Sequence, residues 1–419
     1  MFTTQEGKST RTLNVLLVSA ADLLGTGGLN RRYQELSLAL TSFGCKIFFV
    51  GVVYNKKGGN LNLRSNVHVY PINLSFVNRF QTNSSNFFWQ LIWLILFSFG
   101  LLKVGVRICC SEKIDVILGY SQPAIPVVYF MKHIFRLFWI YDARGLGEIV
   151  FPKLKMAVRP LMAGMLSLEC FASRYADKVL VVSEGMREAI IGYRGLDPSE
   201  VAVSEDGVNP AEFNPYVKKG LARSFLRISD DVPMILYVGS VEVTKGIDRV
   251  ITCFPYVLRK YPNAKFVVVG GGSYAIDDSV FLKSLVYSSN LAESVIFTGR
   301  VEHPAEFIVD ADVCVAPSPL YFSPIKVYEY LACKKPVILD KNADIADLLV
   351  TKKAALLTDT TNPSELALTV IKSLQDRDSS REIASNGYEV VTSSYTWKKI
   401  AEKLTKLMKA ELKVKRKFS

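Results

Sequence analysis

Histidine is scarce in this 419-residue chain. His68, His133 and His303 are the full set, too few for a histidine-rich metal centre. The seven cysteines are scattered, with only Cys109 and Cys110 adjacent and no CxxC pair. That argues against a disulfide framework or a zinc site and for reduced thiols in a reducing compartment. Low-complexity tracts are absent, and proline and glycine are ordinary in amount. The opening stretch MFTTQEGKSTRT is polar and the apolar run after it, LNVLLVSA, is short and β-rich. A secretion signal is therefore not expected, and a cytosolic chain is. Nor is there an acidic pair in a loop that demands Mg²⁺ or Mn²⁺, since Asp230-Asp231 and Asp277-Asp278 read as surface turns. No obligatory metal or cofactor is expected.

What is present points to a globular chain of more than one domain. Hydrophobic residues make up 49% and charged residues 21%, enough apolar material for two cores. Single cores stop growing at roughly 250–300 residues. The net charge is +12, and nine Lys/Arg against Glu402 and Glu411 fall between Lys398 and Ser419. Ile400, Leu404, Leu407 and Met408 recur there at helical spacing, as in a basic amphipathic helix. Such a helix reads either as a solvated C-terminal helix or as a contact for an anionic membrane surface. Nucleic acid is not indicated, for basic and aromatic residues are not interleaved. Two further apolar runs carry cations, FFWQLIWLILFSFGLL at 87–102, followed by Lys103 and Arg107, and PVVYFMKHIFRLFWI at 126–140. Helices lying in a bilayer interface and core helices of a large domain both fit this pattern. The first run is short of the ~20 residues that span a bilayer.

Continuous apolar strands alternate with helical stretches twice over. One series is LNVLLVS, KIFFVGVV, DVILGY, FWIYD and KVLVVS; the other is MILYVG, KFVVVG, SVIFTG, DVCVAPS and PVILD. Strands of this kind belong to parallel sheets covered on both faces. The expectation is an α/β chain of two doubly wound, Rossmann-like domains. Residues 1–205 form the first and 206–390 the second, with 391–419 a C-terminal helix and basic tail packing back toward the first. Ligands of such folds bind outside the carboxyl ends of the strands, and the cleft between two domains is the default site. Glycine or cap features stand at those ends. GTGG, ending at Gly28, precedes the first helix; Lys245 and Gly246 follow MILYVGS; Gly271 and Gly272 follow KFVVVG; and Ser323 and Pro324 open the helix after DVCVAPS. With a lysine beside them, these suit a diphosphate.

SPIKVYEYLACKKPVI resembles the C-terminal signature of the retaining glycosyltransferases of family 4, of the two-Rossmann-domain (GT-B) architecture. GGLNRRYQELSLAL, LECFASRYADKVLVVSEGMREAI, SEDGVNPAEFNP, YVGSVEVTKGIDRVI and SYTWKKIAEKL resemble other passages of that family, in the same order. The resemblance implies that backbone amides near Pro324, Ile325 and Lys326, after Ser323, hold the donor's diphosphate. It implies that Glu329 binds the ribose hydroxyls, that Lys245 neutralises the leaving nucleoside diphosphate, and that Val301 meets the base. Gly28, Ser240 and Gly271 fall on the same donor-binding loops. The sequence departs from the family pattern at Tyr321, where a glutamate often contacts the sugar, and at Ser240, where an arginine is common. In place of a frequent histidine it has YDARG, making Asp142 and Arg144 candidates near sugar and acceptor; a structural ion pair at a strand end is the other reading of those two.

The implied reaction is retaining transfer from a UDP- or GDP-sugar to an acceptor hydroxyl. The apolar runs and the basic tail suggest a lipid-linked or membrane-bound glycan as acceptor, and a cytoplasmic enzyme peripherally held on the inner face of a membrane. A nucleotide-sugar epimerase of the same fold and a non-catalytic membrane-associated scaffold are the alternatives.

Overall fold

A computed structural model describes residues 12–22, 28–53, 66–74, 87–119, 121–150, 159–272, 278–318 and 325–418. The chain divides into two compact units. Unit 1 is Met1–Ser204 together with Lys398–Ser419, and unit 2 is Glu205–Trp397.

Among the described residues of unit 1, seven strands form one parallel sheet. They are β1 (Leu13–Asp22), β2 (Cys45–Val53), β3 (Val67–Asn73), β4 (Val116–Gly119), β5 (Phe138–Asp142), β6 (Lys178–Val181) and β7 (Val201–Val203). Their spatial order is β3-β2-β1-β4-β5-β6-β7. In unit 2 the strands are β8 (Met234–Val238), β9 (Lys265–Val269), β10 (Val295–Gly299), β11 (Val313–Ala316), β12 (Val337–Asp340) and β13 (Leu356–Thr358). These run β10-β9-β8-β11-β12-β13, again all parallel. Parallel pairing requires a crossover between neighbours, and helices supply it.

The apolar runs form strands because both faces of each sheet are covered. In unit 2, Leu236, Val267 and Cys314 feed one core, while their sequence neighbours Ile235, Phe266, Val268 and Val313 feed a second. Alternate side chains thus enter opposite layers, each worth roughly 1.5–3 kcal/mol when fully buried. Local chemistry fixes the helix ends. Ser183 caps Glu184–Arg194 by accepting from the Met186 amide, and Gly195 closes that helix in the left-handed region. Asn362 caps Pro363–Gln375, where proline takes the first position.

Two expectations about helices change in the structure. The run at 87–102 belongs to one longer helix, Phe87–Ser111, which continues past Lys103 and Arg107. By length and composition alone, Ile92–Ser111 is apolar enough to cross a membrane. Its inward face nevertheless joins the core of unit 1 through Trp93, Phe97, Leu101 and Ile108. The stretch at 126–140 divides at Arg136, in the left-handed region, into helix Ile125–Phe135 and strand β5. The C-terminal helix Trp397–Phe418 buries Ile400, Leu404, Met408 and Leu412. It is tied to unit 1 by Lys178 to Glu411, Lys415 to Asp177 and Arg416 to Asp115. Its apolar stripe therefore faces protein, and cations make up most of what it exposes.

Candidate functional site

The carboxyl ends of β8, β9 and β11 carry the densest chemistry of unit 2. After β8 the chain passes through Gly239 and Ser240 into a single 3₁₀ turn, Val243–Lys245, ended by Gly246. Gly246 has φ +76°, and a β-carbon on it would lie 2.7 Å from the Pro317 carbonyl oxygen after β11. Only glycine lets the two loops approach so closely. The Ser318 hydroxyl donates to the Thr244 carbonyl at 3.2 Å, and the Val243 amide donates to the Asp278 carboxylate at 2.8 Å. The lysine-bearing turn is thereby bound to two neighbouring segments. Gly270 after β9, at φ +139°, passes close to Gly239, itself at +148°; a β-carbon on Gly270 would lie 1.8 Å from the Gly239 carbonyl oxygen.

Lys326 stands in the first turn of helix Ile325–Ala332. Its ammonium donates to the Tyr237 hydroxyl at 2.9 Å and lies 4.2 Å from that ring's centroid. The Tyr237 hydroxyl in turn donates to the Ser240 carbonyl at 2.9 Å. Burial pushes the Lys326 ammonium down to about 7, and the neighbouring Lys245 charge adds to that, against a partial pull upward from Glu242 and Glu329. Lys245 is also depressed by burial, with Glu242 opposing. Both ammonium groups are thus half-buried, and the Glu242 and Glu329 carboxylates that act on Lys326 are buried. Glu329 is buried, not on a surface helix position, one turn beyond Lys326. Tyr330, beside it, accepts from the Val238 amide at 2.7 Å, fixing the helix against the end of β8.

Of the other residues read from the sequence, Ser240 and Gly271 lie on adjoining loops, joined through the Val241 amide to the Gly271 carbonyl at 3.1 Å. Val301 follows β10 and packs on the unit 2 core. Ile325 begins its helix and is buried. Tyr321, Ser323 and Pro324 lie outside the described residues. Gly28 begins helix Gly28–Thr41 of unit 1. Sequence reasoning missed Tyr237, Glu242 and Tyr330. Glu242 has a local signal, three residues before Lys245, but Tyr237 meets Lys326 only across 89 residues of sequence.

Asp142 and Arg144 stand at the end of β5 in unit 1. Asp142 is 0% exposed and accepts from Arg144 at 2.7 Å, the Tyr33 hydroxyl at 3.0 Å and Arg32 at 3.3 Å. Burial alone raises such a carboxyl, but Arg144 and Arg32 outweigh it and hold Asp142 below the ordinary range. Its oxygens are engaged inside the unit, and the ion-pair reading fits it. A second network joins helices of the same unit, where Arg194 binds Glu148 at 2.7 Å and Glu169 at 3.1 Å, and Gln122 donates to Glu169 at 2.7 Å. Among the described residues no three His, Cys, Asp or Glu side chains gather as metal ligands.

Comparison with known proteins bears on this arrangement. Residues 219–390 match the model of the glycosyl transferases group 1 family. An uncharacterized glycosyltransferase of Methanocaldococcus jannaschii is 26% identical over 253 residues, 59% of this chain and 64% of that one. A GDP-mannose-dependent alpha-(1-6)-phosphatidylinositol monomannoside mannosyltransferase of Mycobacterium tuberculosis is 28% identical over 189 residues, 43% of this chain and 48% of that one. The matched stretch thus covers less than two thirds of either relative. The solved structure of sucrose-phosphate synthase from Thermosynechococcus elongatus superposes with a TM-score of 0.78 at 20% identity, over 95% of this chain and 98% of that one. Residues 219–390 are thus similar to the glycosyl transferases group 1 family, and the fold is one of two Rossmann-like domains of the GT-B type.

Proposed function

We propose that this protein transfers a sugar, with retention, from a UDP- or GDP-linked donor to an acceptor hydroxyl. The observation that carries the reading is that Lys245 and Lys326, in the turn after β8 and in the first turn of the helix after β11, are both depressed by burial. Ammonium groups whose charged forms are disfavoured by burial gain from a bound anion, which suits these two to a diphosphate. A bound anion relieves their repulsion and matches the charge that develops as the nucleoside diphosphate leaves. Lys326 takes the part that the missing arginine at Ser240 plays elsewhere in the family. Glu329 accepts from the ribose hydroxyls, a charge-assisted bond of the stronger kind. Neutralisation is assigned to the two lysines, and no step to a metal. In unit 1, Arg144 is the candidate near the acceptor, and Asp142 is its positioning residue.

The acceptor we propose is a lipid-linked or membrane-bound glycan, with the protein held peripherally on the cytoplasmic face of a membrane. Supporting this are the phosphatidylinositol monomannoside in the name of the mycobacterial relative and the apolar, cation-bearing helices of unit 1.

The deciding experiment is a panel of UDP-, GDP- and ADP-sugars read by thermal shift and donor hydrolysis, with Lys245→Ala and Glu329→Ala alongside. Stabilisation and slow hydrolysis with one donor, lost in both variants, supports the transferase and names its nucleotide. No response to any donor by wild type moves the assignment to a non-catalytic scaffold. Interconversion of free nucleotide-sugars moves it to an epimerase.

A further inference from the structure

We propose that unit 1 rests on anionic lipid through the outward faces of two neighbouring helices, Phe87–Ser111 and Ile125–Phe135. This deepens the membrane-surface part of the proposed function, and it requires no glycosyl transfer to hold.

The two helices pack side by side, and their inward faces are fixed to the protein. A β-carbon on Gly105 would lie 2.8 Å from the Met131 thioether, and one on Gly100 would lie 2.7 Å from Ile72. Trp93 and Phe97 stack with ring centroids 5.3 Å apart inside the core. A helix held this way along one side cannot be surrounded by lipid, so its apolar length does not make it a span. Its other side is unlike a protein surface. Ile95, Leu96 and Phe99 are exposed, Phe99 to 67%, and Phe130 and Ile134 are exposed on the partner helix. Single exposed apolar residues need no explanation, but five on the outer faces of adjacent helices do.

Charge selects the occupant. On the longer helix, Ile95, Phe99, Lys103 and Arg107 follow one another at four-residue steps, a single outward stripe. Apolar residues take its first part and cations its second, roughly 6–12 Å further along the axis. His133 and Arg136 are exposed beside Ile134. Neither helix contains an acidic residue. The nearby acids are paired, Glu112 with Lys46 at 3.1 Å and Asp177 with Lys132 at 3.0 Å. Apolar groups set beside cations with no exposed acid among them match an interface of acyl chains and anionic headgroups. The C-terminal helix offers no such match, because its apolar stripe is buried in unit 1.

The test is flotation of the full chain with vesicles of phosphatidylcholine alone or with phosphatidylglycerol added. The expected result is binding to the anionic vesicles only, weakened by salt. Lys103→Glu with Arg107→Glu reduces it by roughly thirtyfold or more, since two basic residues' attraction is lost and two like charges are added. Phe99→Ser with Phe130→Ser reduces it by roughly tenfold or more. Lys406→Glu with Lys413→Glu, on the C-terminal helix, leaves most of it. All these positions are exposed, so near-wild-type unfolding temperatures accompany the changes. Wild type that floats with neither vesicle overturns the proposal, as does binding lost only in the C-terminal variant. Self-association abolished by Phe99→Ser, without vesicle binding, overturns it too and gives the face to a second copy. Lys245→Ala floats like wild type; a chain that binds vesicles as stated but responds to no donor defeats the transferase reading and leaves this one standing.

Discussion

Two groups of charges stand at strand ends in this protein, and they are built on opposite terms. In unit 1, Asp142 is fully buried with Arg144, Tyr33 and Arg32 all donating to it. Opposite charges touch there, and the acid is held below its ordinary range. In unit 2, Lys245 and Lys326 oppose like with like, and both are held below theirs. Burial is the larger cause in both; the Lys245 charge adds to it at Lys326, where Glu242 and Glu329 oppose it. A cluster whose internal charges satisfy one another supports the structure. One whose cations are disfavoured by burial gains from an anion supplied from outside.

Breaking the first cluster has the largest expected effect. Asp142→Ala leaves Arg32 and Arg144 in a buried site without their acid and costs about 3–5 kcal/mol of stability. Chemical denaturation of the variant measures this, and a loss under 1 kcal/mol removes the contrast between the clusters. Lys245→Ala, by comparison, lowers turnover by roughly 10²–10³ while leaving the unfolding temperature near wild type. A variant that loses turnover only because it unfolds shows Lys245 to be structural.

The pH dependence sharpens the comparison. The Lys326 ammonium sits at about 7 in the folded protein, well below its unfolded value. Between those two values the unfolded chain binds more protons, so this group makes stability rise as pH increases above about 7. A diphosphate favours the charged form, so UDP or GDP affinity falls over the same window, by at most about tenfold per pH unit. Calorimetry across that range, with proton uptake read from buffer ionisation enthalpies, checks both signs. Affinity that is flat in wild type and in Lys326→Met alike leaves the lysine out of the site. The smallest effect is on Lys326→Met itself, which is neutral or stabilising by on the order of 1 kcal/mol in the absence of nucleotide. A clear loss of stability means that the contact with Tyr237 outweighs the repulsion.

Much of the fold was legible because central strands of parallel sheets are apolar on both faces. The strands that pattern reading passed over are β3, β7 and β13, and all three lie at sheet edges. An edge strand escapes the demand for continuous apolar residues, and β3 carries His68, Pro71 and Asn73 in its seven residues. In the site, Lys245, Lys326 and Glu329 announced themselves through local motifs. Tyr237 did not, because within β8 it reads as one more core aromatic, and its contact is made 89 residues away. Asp142 was visible, but its confinement was not, since Arg32 and Tyr33 reach it from 110 and 109 residues upstream.

The partition of the chain has a consequence for the order of synthesis. Unit 1 is built from both ends, Met1–Ser204 and Lys398–Ser419, with all of unit 2 between them. A ribosome therefore completes Glu205–Trp397 while the first unit still lacks the helix that supplies Leu404, Met408 and Leu412. The second domain made is the first that can be finished, and the nascent first domain lacks these apolar side chains until the helix Trp397–Phe418 leaves the exit tunnel.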